Sequence, residues 1–139
     1  MQKKLVNSLE NVILGKVTDE KEFLDFYSLD SSAYSKRPRL IVFPKSIEDV
    51  KKTIRFAKKR KIPVCARGGS TGLVGSSLTT GIIIDMKNFT EIKLSKNHVT
   101  VGAGVSKGEL DLILNHNKKF IGPNPSVGSF CKIGGMIAN

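Results

Sequence analysis

Arg67, Ser70 and Thr71 stand among Gly68, Gly69, Gly72 and Gly75, a mixture of residue types suited to holding an anion. Glycine lacks Cβ, so its amide can approach an oxygen that a side chain would fence off, and successive amides can converge on one charge. The hydroxyls of Ser70 and Thr71 add donors. Arg67 adds a planar, permanently charged fork of the kind that fits phosphate. The chemistry this stretch predicts is grip on a phosphoryl group; nothing in it suggests bond cleavage.

Two short apolar runs must position it. Ile62-Pro63-Val64 reads as a strand entering the glycines, and Gly81 to Asp85 reads as a strand leaving them. The ordinary explanation of a glycine-rich connection between strands is a turn. Two better-known phosphate loops are excluded: the stretch does not end in Gly-Lys-Ser/Thr, and it lacks the Gly-x-Gly-x-x-Gly spacing that opens a helix in dinucleotide folds.

A second Gly/Pro/Ser-rich stretch runs from Phe120 to Asn139, through Pro123-Asn124-Pro125-Ser126 and on to Ile133-Gly134-Gly135-Met136-Ile137-Ala138. The paired glycines read as the entry to a helix with a close backbone neighbour. The chain is expected to stop before that helix forms.

Between these loops the periodicity is readable. Leu5, Val6, Leu9, Val12 and Ile13 predict a helix over 2–14, and Asp19 with Glu22 predicts a capped second helix bearing Phe23, Phe26 and Tyr27. Residues 29–37 read as loop. Leu40 to Phe43 reads as a strand closed by Pro44. Ser46 and Asp49 then cap a helix whose inward stripe is Ile47, Val50, Ile54 and Ala57. With the next strand this makes one β-α-β unit from 39 to 66, so the glycine loop leaves the end of a strand, where ligands commonly sit. Further on, 91–94 and 98–101 predict a hairpin. Ser106 with Glu109 predicts a capping box for a helix that turns Leu110, Ile113 and Leu114 inward.

The chain has 139 residues, 40% of them apolar, enough for a real core, and the element order predicts an α+β protein built of α/β layers. No apolar run reaches the roughly 18–20 residues of a membrane span, and Asn7, Ser8 and Glu10 interrupt any signal-peptide core, so the cytoplasm is the expected location. Cys65 and Cys131 form no CxxC pair and are expected reduced and packed inside. A net charge of +11 raises the question of nucleic acid. The charge gathers at Lys51-Lys52, Arg55, Lys58 to Lys61 and Lys118-Lys119 with only Phe56 among the first group, which describes a solvated helix face and no base-stacking surface. His98 and His116 lack partners at metal-ligand spacing and are read as structural or solvated, with no metal site expected.

The ordered set of motifs resembles a known family. Pro44-x-Ser46-x-x-Asp49-Val50 comes first, then Arg67 to Gly72, then Val101-Gly102-Ala103-Gly104-Val105, then Pro123 to Ala138. The set is similar to the amino-terminal part of the FAD-binding domain of the vanillyl-alcohol-oxidase (PCMH-type) flavoproteins, and within them to the glycolate oxidase / D-lactate dehydrogenase branch. Gly15-x-Val17 and Tyr27-x-x-Asp30 in the lead also resemble that branch.

The resemblance implies a lead over 1–34, a first FAD-binding subdomain over 35–88, and an incomplete second one over 89–139. It implies that Arg67, Gly68, Gly69, Ser70, Thr71 and Gly72 wrap the FAD pyrophosphate, chiefly through backbone N–H groups. It implies that Ser126, Ser129, Cys131 and Lys132, with Gly134 and Gly135, run along the flavin and its ribityl-phosphate linkage. Family members with covalent flavin often carry histidine where Thr71 stands, so the FAD is expected to be dissociable. Ser70 occupies a position where the family usually has glycine or alanine, Ser76 one where it has a second glycine, and Lys132 one where it more usually has threonine. The implied chemistry is removal of hydride from a D-2-hydroxy acid. The base and the substrate-carboxylate ligand are expected beyond Asn139, so no catalytic residue is named. The open alternatives are a fragment that needs a complementary chain to hold flavin and, more remotely, a basic anion- or nucleic-acid-binding module.

Overall fold

The computed structural model describes residues 2–139; Met1, the first residue of the expected lead, lies outside them. In chain order the elements are α1 (Gln2–Glu10), β1 (Lys16–Thr18), α2 (Lys21–Tyr27), β2 (Leu40–Phe43), α3 (Ile47–Lys59), β3 (Val64–Arg67), β4 (Ile82–Asp85), β5 (Ile92–Leu94), β6 (Val99–Val101), α4 (Lys107–His116) and α5 (Ile133–Ala138).

Four strands form a sheet in the order β1-β2-β4-β3, with β4 parallel to both neighbours and β1 antiparallel at one edge. Thus β2 and β3 are not adjacent: the crossover through α3 leaves a slot that β4 fills. Strands buried on both faces read as continuous apolar runs. Leu40-Ile41-Val42 and Ile82-Ile83-Ile84 are such runs, none more than 2% exposed. Alternate residues serve opposite faces. Leu40, Val42, Ile82 and Ile84 pack with Leu9, Ile13, Phe56 and Ala57, whereas Ile41, Phe43 and Ile83 pack with Leu24 and Tyr27. The lead therefore shares this core through α1, β1 and α2.

Several local expectations are corrected. Helix α1 ends at Glu10, before the expected Leu14. Asp19 does not cap α2; Glu20 holds the cap position without a side-chain bond, and the Glu20 amide donates to Thr18 Oγ1 instead. On α3 the buried residues are Asp49, Thr53, Phe56 and Ala57, while Ile47 and Ile54 are exposed. Ser46 does accept from the Asp49 amide, as expected of the cap. The Asp49 carboxylate, however, accepts from the Leu14 and Lys45 amides, tying the connection after α1 to the start of α3.

A smaller layer follows. The β5–β6 hairpin, α4 and α5 meet around Val105, Leu110, Leu114 and Ile133. The capping box at Ser106 and Glu109 is present; Leu110 and Leu114 are buried, but Ile113, expected inward, is exposed. Against expectation, the last residues do form a helix. The Ile133 and Gly134 amides donate to the Val105 and Ala103 carbonyls, and a Cβ on Gly134 would lie 2.8 Å from that of Ala103. The close neighbour expected of the glycine pair is the 103–105 segment. No helix among the described residues is long and apolar enough to cross a membrane.

Candidate functional site

Strand β3 ends at Arg67, and the chain then runs from Gly68 to Ser77 without regular structure before β4 begins. Backbone N–H groups normally find partners when a chain folds. Among the described residues, none of the amides from Gly68 to Ser77 donates to a protein acceptor. All of those residues except Gly75 line one wall of a cleft of about 940 Å³, together with Pro123, Asn124, Pro125, Val127, Cys131 and Lys132 from the second loop and Gly134, Gly135 and Met136 from α5. The two loops expected to share a ligand therefore face one another.

Ten of the twelve expected site residues line this cleft: Arg67, Gly68, Gly69, Ser70, Thr71, Gly72, Cys131, Lys132, Gly134 and Gly135. Ser126 and Ser129 do not. The turn closed by the Gly128 amide on the Pro125 carbonyl presents Pro125 and Val127 to the cleft instead. Leu73, Val74, Ser76, Ser77, Met86 and Ala103 also line it and were not expected. Leu73 and Val74 follow directly on the glycines, and about three-quarters of each is exposed, which gives the cleft an apolar lip.

The Arg67 side chain departs from its expected task. It is buried, and its two terminal amino groups donate to the Tyr27 carbonyl at 2.9 Å and the Leu29 carbonyl at 2.8 Å. Its guanidinium carbon sits 4.7 Å from the centre of the Tyr27 ring. The Tyr27 hydroxyl in turn donates to Asp85, whose other oxygen accepts from the Lys87 amide. Burial, then the hydrogen bond to Asp85, push the Tyr27 hydroxyl far above its ordinary range; burial pulls Arg67 down from its ordinary value. The fork is thus a beam under the loop, because two fixed carbonyls satisfy planar donors without a mobile anion.

Ser70 bears out its peculiarity. It adopts φ +56°, the left-handed region where a Cβ is disfavoured, and its Oγ is buried with no partner in the protein. An orphaned hydroxyl beside a row of unengaged amides is what a site for a multiply charged, oxygen-rich group requires. Gly68, Gly69 and Gly72 lie outside that region, so their role is close approach, clearest at Gly69, where a Cβ would lie 2.3 Å from the Phe130 carbonyl oxygen.

The cleft has the chemistry and size to receive a linked phosphoryl group and an attached ring system. Its lining contains no acidic side chain and no histidine among the described residues. Cys131 is buried and Cys65 half-buried, both free thiols, and burial raises that of Cys65. No cluster of metal ligands occurs among the described residues.

Comparison with known proteins agrees with this geometry. The model of the FAD binding domain family matches residues 38–139. Glycolate oxidase subunit GlcD of Escherichia coli K12 is 36% identical over 128 residues, covering 87% of this chain and 25% of that protein. D-2-hydroxyglutarate dehydrogenase of Pseudomonas putida is 31% identical, covering 88% of this chain and 13% of its own length. D-lactate dehydrogenase of Archaeoglobus fulgidus is 33% identical, covering 90% and 30%. The chain thus spans less than a third of each of these curated relatives. Among solved structures, an alkyldihydroxyacetonephosphate synthase superposes with a TM-score of 0.84 at 21% identity, covering 99% of this chain and 29% of that one. p-Cresol methylhydroxylase superposes at 0.77 with 17% identity, covering 97% and 29%. The fold is that of the PCMH-type domain in part, and the chain belongs to the FAD binding domain family.

Proposed function

We propose that this chain forms the pyrophosphate-binding side of an FAD site in an oxidoreductase acting on a D-2-hydroxy acid. The observation that carries the reading is the run of unengaged amides from Gly68 to Val74, with those of Ser76 and Ser77, along one wall of the cleft. FAD, when bound, supplies the hydride-accepting ring. The residues here hold the cofactor's middle: the amides around Thr71 donate to the phosphoryl oxygens, Ser70 Oγ adds one donor, and Cys131 to Gly135 border the ribityl side. Lys132 supplies positive charge on that wall.

The D-2-hydroxy-acid substrate class is supported by the names of the relatives, which act on 2-hydroxyglutarate, glycolate and lactate. The proton-accepting base is assigned to no residue of this chain, and the chain by itself is expected to be inactive.

A completing segment, in the same polypeptide or from a partner chain, forms the second reading. Phe120, Phe130 and Ile137, on and around the second layer, are each more than two-thirds exposed, a large apolar display for one small layer. We accordingly divide the chain into a unit over 2–88 and the beginning of a second over 89–139.

Titration of the purified chain with FAD, followed by loss of flavin fluorescence, tests the reading. Saturable quenching with a rise in melting temperature is expected; at a hundredfold excess over the dissociation constant the stabilisation is roughly 2.7 kcal/mol. No quenching at millimolar chain and no thermal shift would overturn it.

A further inference from the structure

We infer that Asp30, on the segment following α2, is a positioning residue that straps the glycine loop into its cofactor-accepting shape. The inference deepens the FAD reading and rests on it. The strap lies upstream of the matched family region, which begins at residue 38.

The contacts form a chain of fixed points. One Asp30 carboxylate oxygen accepts from the Ser32 amide at 2.9 Å, which folds residues 30–32 into a tight turn. The other accepts from Ser77 Oγ at 2.9 Å, at the far end of the glycine loop. Between them the Ser31 amide donates to the Ser70 carbonyl at 3.1 Å. Arg67 holds the Leu29 carbonyl next door, so the strap is itself anchored. The Tyr34 ring lies against Gly75, 3.2 Å from where a Cβ would stand, and Gly75 has φ +72°.

The bond at Ser70 has a directional consequence. In a trans peptide the carbonyl and the following N–H point to opposite sides, and no peptide here is cis. Fixing the Ser70 carbonyl toward Ser31 therefore aims the Thr71 N–H away from the strap. Ser70 itself has positive φ, and Thr71 lines the cleft. A loop with no internal amide bonds depends on such outside contacts to keep its donors aligned, and preorganised donors bind an anion without an ordering cost at the moment of binding.

The test is a double-mutant cycle on FAD affinity with Asp30→Ala and Ser77→Ala, at a temperature well below the melting point of every variant. Each single change is expected to weaken FAD about tenfold, and the double variant no more than Asp30→Ala alone, because Asp30→Ala already removes the one bond that Ser77→Ala removes. In the free protein, backbone amide order parameters over Ser70 to Ser77 should fall in both variants while those of β2 and β4 do not. A purely structural role would lower the melting temperature and leave the affinity of the folded protein unchanged. FAD binding by the wild-type chain that both variants match within twofold overturns the strap alone. No binding of FAD by the wild-type chain overturns the flavin reading and this role with it.

Discussion

Gly69 and Phe130, 61 positions apart in the sequence, are in backbone contact: a Cβ on Gly69 would lie 2.3 Å from the Phe130 carbonyl oxygen and 3.4 Å from the Cα of Cys131. The two loops that wall the cleft therefore touch at its floor, and the absence of one methyl group sets their separation. Gly69→Ala is expected to push the loops apart. Overpacking of this kind costs about 1–3 kcal/mol, and FAD affinity should fall with it. Gly68→Ala is the milder comparison, since its added Cβ would meet the Cβ of Lys132 at 3.1 Å and no backbone atom. Melting temperatures of the two variants should differ, with Gly69→Ala the lower; equal values would remove the contact from the account.

Ser70 combines a disfavoured backbone region with an orphaned hydroxyl. Ser70→Gly relieves both and is expected to stabilise the FAD-free chain by about 1 kcal/mol, after allowance for the entropy a glycine adds to the unfolded chain. That corresponds to a rise of roughly 3–5 °C in Tm for a chain of this size. A lower Tm would mean that Ser70 is satisfied inside the free protein.

Arg67 separates a structural from a ligand role. Arg67→Lys keeps the charge but cannot reach the Tyr27 and Leu29 carbonyls with a planar fork. It is expected to lower stability by about 2–4 kcal/mol, given charged hydrogen bonds of about 1.5–3 kcal/mol each. Denaturant unfolding without FAD measures this directly. Unchanged stability with weakened, more salt-sensitive FAD binding would restore the side chain to the phosphate.

Asp49 predicts a pH dependence. Burial pushes its carboxyl up, but the amides of Leu14, Lys45 and Gly15 more than offset this, and its pKa lies below the ordinary 3.8. A carboxyl lowered on folding stabilises the protein fully above its unfolded value, and that stability is lost as pH falls through the folded value. Asp49→Asn is therefore expected to cost about 2 kcal/mol at pH 7. The gap to wild type should narrow below about pH 4, where the wild-type carboxylate itself takes up a proton. A gap that does not change between pH 7 and pH 3 would contradict the assignment.

Asp49 also marks the limit of what the sequence discloses. Hydropathy turned Ile47 and Ile54 inward because it counts aspartate and threonine as outward residues. Here Asp49 and Thr53 are buried, with Thr53 Oγ1 bonded to the Asp49 carbonyl, and Asp49 gathers amides from a distant connection. Strand β1 was missed because three residues, Lys16 to Thr18, carry no periodicity of their own and are held by pairing with β2. By contrast, the glycine loop was legible from its composition and its flanking strands. The task of Arg67 was not, since its partners lie 38 and 40 positions upstream. The inward turn of Pro125 and Val127 in place of Ser126 and Ser129 depends on a turn geometry that several sequences would share.

The central claim is that the amides from Gly68 to Ser77 grip two linked phosphoryl groups. The most direct measurement is a titration of the isotopically labelled chain with FAD, and in parallel with ADP, following each backbone amide by nuclear magnetic resonance. The account predicts that amides between Gly68 and Ser77 shift first and furthest with both ligands, with Thr71 among the largest. Binding of either ligand that leaves those signals in place would contradict it.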